Sequence, residues 1–84
     1  MKITIKYFSW IRVKKKRVSE NIIVPNETNF IEFKNILTKK EPIFLEIFKD
    51  KSIKYFLNLN EIKDHSILLN DGDEIAFLPP VTGG

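Results

Sequence analysis

Apolar and polar residues alternate strictly at the start of the chain: Ile3, Ile5 and Tyr7 fall on one face, Lys2, Thr4 and Lys6 on the other. That period of two predicts a half-buried β-strand over Lys2 to Phe8. A second strand is predicted over Val18 to Val24, closed by Pro25, with a loose hairpin connection between the two. The period then changes. Asn29-Phe30-Ile31-Glu32 fits a capping box, in which the Asn oxygen accepts from a freed amide of the first helical turn while Glu32 reaches back. Phe30, Phe33 and Leu37 recur at three and four residues, Lys39 and Lys40 suit the negative end of the helix dipole, and Pro42 ends the element. Aromatics at this spacing read as core, not as a ligand pocket.

Ile43 to Lys49 fits either a short helix or irregular packing. Alternation resumes over Tyr55 to Leu59, with Tyr55, Leu57 and Leu59 on one side. Asn70-Asp71-Gly72 predicts a turn with Gly72 at positive φ, followed by a last strand over Asp73 to Leu78 with Ile75 and Phe77 on one face. Strand, strand, helix, strands describes a small α+β domain over residues 1–78, with no internal repeat.

Composition narrows the function. At 84 residues, 43% hydrophobic and 30% charged, the chain is one globular domain without room for a deep internal active site. It has no cysteine, which excludes disulfides, zinc-thiolate and iron–sulfur sites and thiol nucleophiles. His65 is the single histidine, so no metal site is expected. No apolar run nears the ~18 residues of a membrane span, and the opening residues lack a signal peptide's apolar block, so a cytoplasmic location is expected. Net charge is +3, but Lys14-Lys15-Lys16-Arg17 carries the excess; the remaining ten basic residues face eleven acidic ones. Four such charges neutralise about 3–4 phosphates, a weak grip. The run is expected to be a solvated loop.

The end of the chain is the chemically distinctive part. Of three glycines, Gly72 serves a turn and the other two are Gly83 and Gly84, preceded by Pro79-Pro80-Val81-Thr82. Prolines fix φ and favour an extended path, so residues 79–84 form an arm that reaches roughly 20 Å beyond the last strand. Its tip has no side chains, which lets it enter a narrow channel and present a terminal carboxylate to another protein's catalytic centre. A carboxylate becomes reactive once adenylated by ATP, and a sulfur donor or an amine can then attack the mixed anhydride. Without cysteine, any covalently carried sulfur must ride on Gly84, as a thiocarboxylate.

The stretch Asp71-Gly72-Asp73-Glu74-Ile75-Ala76-Phe77-Leu78-Pro79-Pro80-Val81-Thr82-Gly83-Gly84 resembles the C-terminal signature of the small, sulfur-carrier subunit of molybdopterin synthase. The similarity extends to Asn60, Asp64 and Arg12, while Lys14 to Arg17 departs from the family's acidic-to-glycine segment. The resemblance implies a ubiquitin-like β-grasp fold, with a mixed sheet of four to five strands packed on one main helix and a flexible C-terminal tail. It implies a carrier that is not catalytic alone. An ATP-dependent adenylating enzyme, similar to ubiquitin-activating enzymes, would form the Gly84 acyl-adenylate and a sulfur donor the thiocarboxylate. The tail, Pro79, Pro80, Val81, Thr82 and Gly83, would then enter the large catalytic subunit, in an assembly of two small and two large subunits. There sulfur would pass to cyclic pyranopterin monophosphate, two loaded carriers serving each product. No permanently bound cofactor, nucleic acid or membrane is expected. Phe77 is expected either on the docking surface or in the domain's own core.

Alternatives of the same chemistry are a carrier for thiamine thiazole synthesis or tRNA thiolation, or a modifier joined to lysines. A different class is a basic module that binds RNA or an acidic membrane through Lys14 to Arg17.

Overall fold

The computed structural model describes residues 1–80. Five strands form one mixed sheet: β1 (Lys2–Tyr7), β2 (Ser19–Ile23), β3 (Lys54–Leu57), β4 (Asn60–Glu61) and β5 (Glu74–Leu78), in the order β2-β1-β5-β3-β4. β1 pairs antiparallel with β2 and parallel with β5, and β5 pairs antiparallel with β3. This is the β-grasp arrangement. A parallel β1–β5 pair needs a crossover, and the chain between the two strands supplies it with a helix packed on the sheet.

Three helices occur where one main helix was expected: α1 (Ser9–Lys15), α2 (Phe30–Lys40) and α3 (Ile43–Lys49). The start of α2 is as its residues dictate. Asn29 Oδ1 accepts from Glu32 N at 2.8 Å, and Asn29 N donates to Glu32 Oε1 at 3.0 Å. Phe30, Phe33 and Leu37 are fully buried against Ile3, Ile5, Tyr7, Ile75 and Phe77 of the sheet. The segment with two readings is helical, and it buries Phe44 and Ile47 one turn apart.

α1 replaces the expected loop. It buries a single apolar side chain, Ile11, so it has no three-and-four repeat to announce it. Arg12, Lys14 and Lys15 lie in its last turn, where the dipole favours cations, and Lys16 closes it at φ 58°, its N–H donating back to Arg12 and Val13 carbonyls. The predicted strand ending at Leu59 also stops early. Asn58 and Leu59 both take positive φ (47° and 74°) to turn the chain from β3 into β4, which leaves Leu59 93% exposed, not on the core face.

The basic run is a further correction, because it is not uniformly solvated. Lys15 has a side chain only 3% exposed, with Nζ 3.1 Å from Glu20 Oε1 and 2.5 Å from Glu41 Oε1. The same ammonium lies 4.8 Å from the Phe44 ring centroid and 5.5 Å from that of Tyr7. Tyr7 donates its hydroxyl to Glu20 Oε1 at 2.5 Å, so α1, β1, β2 and the end of α2 meet at one polar knot. Burial pushes the Tyr7 phenol up, reinforced by its bond to Glu20. Burial also tends to raise Glu20, yet the hydrogen bonds from Tyr7 and Lys15 and the charges of Lys15 and Arg17 outweigh it and hold the carboxyl below its usual range.

Lys15→Met leaves Glu20 with the Tyr7 hydroxyl and the exposed Arg17 but without its buried ammonium, and is expected to cost about 1–3 kcal/mol by urea unfolding. Equal stability of Lys15→Met and the wild type would show that the knot contributes nothing. The pH dependence follows from the lowered Glu20 carboxyl. Its stabilisation is present above the unfolded-state value of 4.5 and is lost as the pH falls through the lower folded-state value. Glu20→Gln should flatten that part of a melting-temperature profile.

Candidate functional site

The turn that sets the last strand in place is built from Asn70, Asp71, Gly72 and Asp73. Gly72 sits at φ 87°, where a side chain would be strained, and its N–H donates to Lys2 O at 2.8 Å. Lys2 N donates in turn to Asp71 Oδ1 at 2.7 Å. Asp73 is buried and accepts twice, from Asn70 N at 2.7 Å and from Asn58 Nδ2 at 2.9 Å. Asn58 Oδ1 accepts from Glu74 N at 2.9 Å. A single side-chain amide therefore ties the β3–β4 turn to the first residue of β5 and fixes where the tail begins.

Asn58 is a residue that sequence reasoning missed. Asn60 and Asp64, quoted for the family resemblance, make other bonds: Asn60 Nδ2 donates to Asn58 O, and Asp64 Oδ1 accepts from Ser66 N and Oγ. The available signal was conformational, since Asn tolerates the left-handed region that ends β3.

β5 lies between β1 and β3, and its two faces differ. Ile75 and Phe77 are wholly buried, and Phe77 meets Tyr7, Phe44, Phe48 and Tyr55 at ring centroid distances of 6.0, 6.4, 5.8 and 5.1 Å. Of its two expected roles Phe77 takes the core one; a side chain with no exposed area cannot be a docking contact. The apolar side chains on the other face of this strand are Ala76 and Leu78, both half-buried on the side without helices. Phe56 lies opposite Ala76 on β3 and Lys54 opposite Leu78, while Lys6 lies opposite Ala76 on β1. Lys6 forms an exposed ion pair with Glu74 at 3.4 Å. The open face thus carries an apolar strip flanked by lysines at the root of the tail.

Pro79 is buried and Pro80 exposed, so the chain leaves the sheet surface between them. Val81, Thr82, Gly83 and Gly84 lie outside the described residues, and with them the candidate chemical position. Arg12, Lys14, Lys16 and Arg17 are exposed, and Lys14 and Arg17 pair with Glu46 and Glu20. No group of three or more metal-ligating side chains occurs among the described residues. No helix among them is long and apolar enough to cross a membrane.

Comparison with known proteins agrees with this geometry. The model of the ThiS family matches residues 5–84. A chain of the complex of subunits 1 and 2 of molybdopterin-converting factor from Helicobacter pylori superposes with a TM-score of 0.71 at 30% identity, each chain covering 100% of the other. The small archaeal modifier protein 1 of Methanosarcina acetivorans gives 0.77 at 26% identity, with 99% of this chain and 96% of that one covered. SAMP1 from Haloferax volcanii gives 0.84 at 21% identity over 100% of both chains, a likeness of fold.

Proposed function

The chain belongs to the ThiS family of ubiquitin-like sulfur carriers, and from that premise we propose that it is the sulfur-carrying small subunit of a molybdopterin synthase. The observation that carries the pathway is the 30% identity, over the full length of both chains, to a chain of the two-subunit molybdopterin-converting factor. In this reading the Gly84 carboxylate attacks the α-phosphorus of ATP held by an activating enzyme and expels pyrophosphate. The terminal sulfur of a persulfide on a partner protein then displaces AMP to give an acyl disulfide, and a second thiol of that partner cleaves its S–S bond, releasing the Gly84 thiocarboxylate and leaving a disulfide on the partner. The tail from Pro79 to Gly83 carries that sulfur into a channel of the large subunit, where it is transferred to cyclic pyranopterin monophosphate.

The fold supports each half of this division of labour. β5 is fixed on both sides and its start is tied by Asn58 and Asp73, which gives the arm a defined origin. Around that origin Phe56, Ala76 and Leu78 offer apolar area, and Lys6 and Lys54 supply charge that draws an acidic partner face and sets orientation. Catalytic side chains belong to the partner.

Incubation with ATP, the cognate activating enzyme and a sulfur source should add the mass of one oxygen-to-sulfur exchange, mapped to Gly84. Sulfur on an internal peptide sinks the proposal. Transfer to cyclic pyranopterin monophosphate in the presence of the large subunit tests the pathway itself. A second reading, a modifier joined to lysines, is favoured by the 26% identity to a protein named as a modifier; it predicts isopeptide-linked products under the same activating conditions.

Slimness is the property the tail needs. Gly83→Val adds a branched Cβ five residues after the last strand ends at Leu78 and should leave the melting temperature unchanged while slowing sulfur transfer within the complex by about tenfold or more, the scale on which misplaced reacting groups lose rate. Normal transfer by this variant would mean that no narrow channel receives the tail.

A further inference from the structure

A recess of about 400 Å³ opens between α2, the α3–β3 connection and the β3–β4 edge. Tyr55 and Phe48 line it, and Lys34 of α2 stands in it against His65. Lys34 Nζ lies 2.7 Å from His65 Nδ1. An ammonium has no lone pair, so Nδ1 accepts and the His65 ring is neutral, with its proton on Nε2. Two basic groups at this distance do not carry charge together.

The surroundings bear on the same amine. Lys34 Nζ sits 5.2 Å from the Phe30 ring and 6.0 Å from the Phe48 ring, a contact that favours its cation. Burial, then the nearby Lys51, hold the Lys34 amine below the usual lysine range. Burial, then Lys34, likewise lowers His65, with Asp64 opposing. Among the described residues no carboxylate pairs with Lys34. Of the two acids in the recess, Asp50 spends one carboxylate oxygen on Ser52 N and Oγ, and Glu61 stands on the β4 side. Lys51 and Lys54 line the same opening, each exposed.

We infer that Lys34 is an acylation site for acyl phosphates, with the phosphate drawn by Lys51 and Lys54 and the amine proton received by His65 Nδ1. The free amine's lone pair forms the new N–C bond to the acyl carbon. The anhydride C–O bond breaks and inorganic phosphate leaves with its electron pair. The surplus proton on nitrogen moves to Nδ1 and from there to solvent, so nothing is oxidised or reduced. Lys34 is half-buried, which keeps the nitrogen dry enough to be nucleophilic and open enough to be reached. The product is an uncharged amide that no longer donates as an ammonium to His65.

The test uses the full chain with acetyl phosphate and, in parallel, N-acetoxysuccinimide, an acyl donor without phosphate. Site occupancy is followed by peptide mass mapping across pH 6 to 10, on the order of the range over which lysine amines lose their proton. Lys34 should be acetylated several-fold faster than the exposed Lys39 and Lys63, and its rate should rise at lower pH than theirs. His65→Phe keeps a ring beside Phe30 and Tyr55 and should slow Lys34 with both reagents. Lys51→Gln with Lys54→Gln should slow acetyl phosphate alone. Equal losses with both reagents would overturn the phosphate assignment. A wild-type Lys34 with the rate and pH profile of Lys63 would overturn the inference whatever the variants do.

Discussion

Deleting Gly84 is expected to abolish sulfur loading completely while leaving urea unfolding unchanged. In the proposed function the acceptor carboxylate is that of Gly84, whereas the core closes at Ile75 and Phe77 and the last buried residue of the described chain is Pro79. The shortened chain still ends in a glycine carboxylate, but one residue, about 3.5 Å, short of the point to which the arm is built to reach. Reaction of reactive groups falls steeply with displacements of this size. Intact mass after incubation with ATP, activating enzyme and sulfur source should show no shift. Loading at the wild-type rate would mean that the activating partner does not measure the length of the arm, and the proposed role of Gly84 would fail.

Phe77→Ala should have the largest effect on the fold. Phe77 is fully buried and meets four aromatic rings, two of them, Tyr7 and Tyr55, from flanking strands and two, Phe44 and Phe48, from α3. Truncating a buried Phe costs about 3–5 kcal/mol in lost transfer energy and residual cavity. A domain of this length has only about 4–12 kcal/mol in total. Chemical denaturation should therefore show a midpoint lowered by a large fraction. A loss of partner binding without loss of stability would instead return Phe77 to the docking surface.

Elements with a strong repeat were legible in the sequence. The alternation of Ile3, Ile5 and Tyr7, the capping box at Asn29 and Glu32, and Gly72 at its turn each state their structure locally, because one residue pattern admits one backbone solution. α1 was not legible: seven residues around a single buried Ile11 carry no period, and its basic last turn reads equally well as a loop. Lys15 was hidden for a different reason. Its partner Glu41 is 26 residues away, and only the folded arrangement reveals a lysine held between two carboxylates and two rings. The tail motif was legible as a family signature, but the surface at its root was not. Ala76 and Leu78 become an apolar strip only when β3 brings Phe56 alongside, and Asn58 acquires its role only when the turn into β5 comes to meet it.

The position of β5 also has a mechanical consequence. It hydrogen-bonds to β1 in parallel and to β3 antiparallel, so a pull on the tail acts along the strand axis and loads both ladders in shear. An edge strand pulled in the same direction would be held by one ladder alone. Here the bonds on both sides must yield together, while the Asn58–Asp73 link anchors the far end of the strand. A partner that grips the arm and draws it into a channel can therefore put tension on the chain without unravelling the domain that carries it.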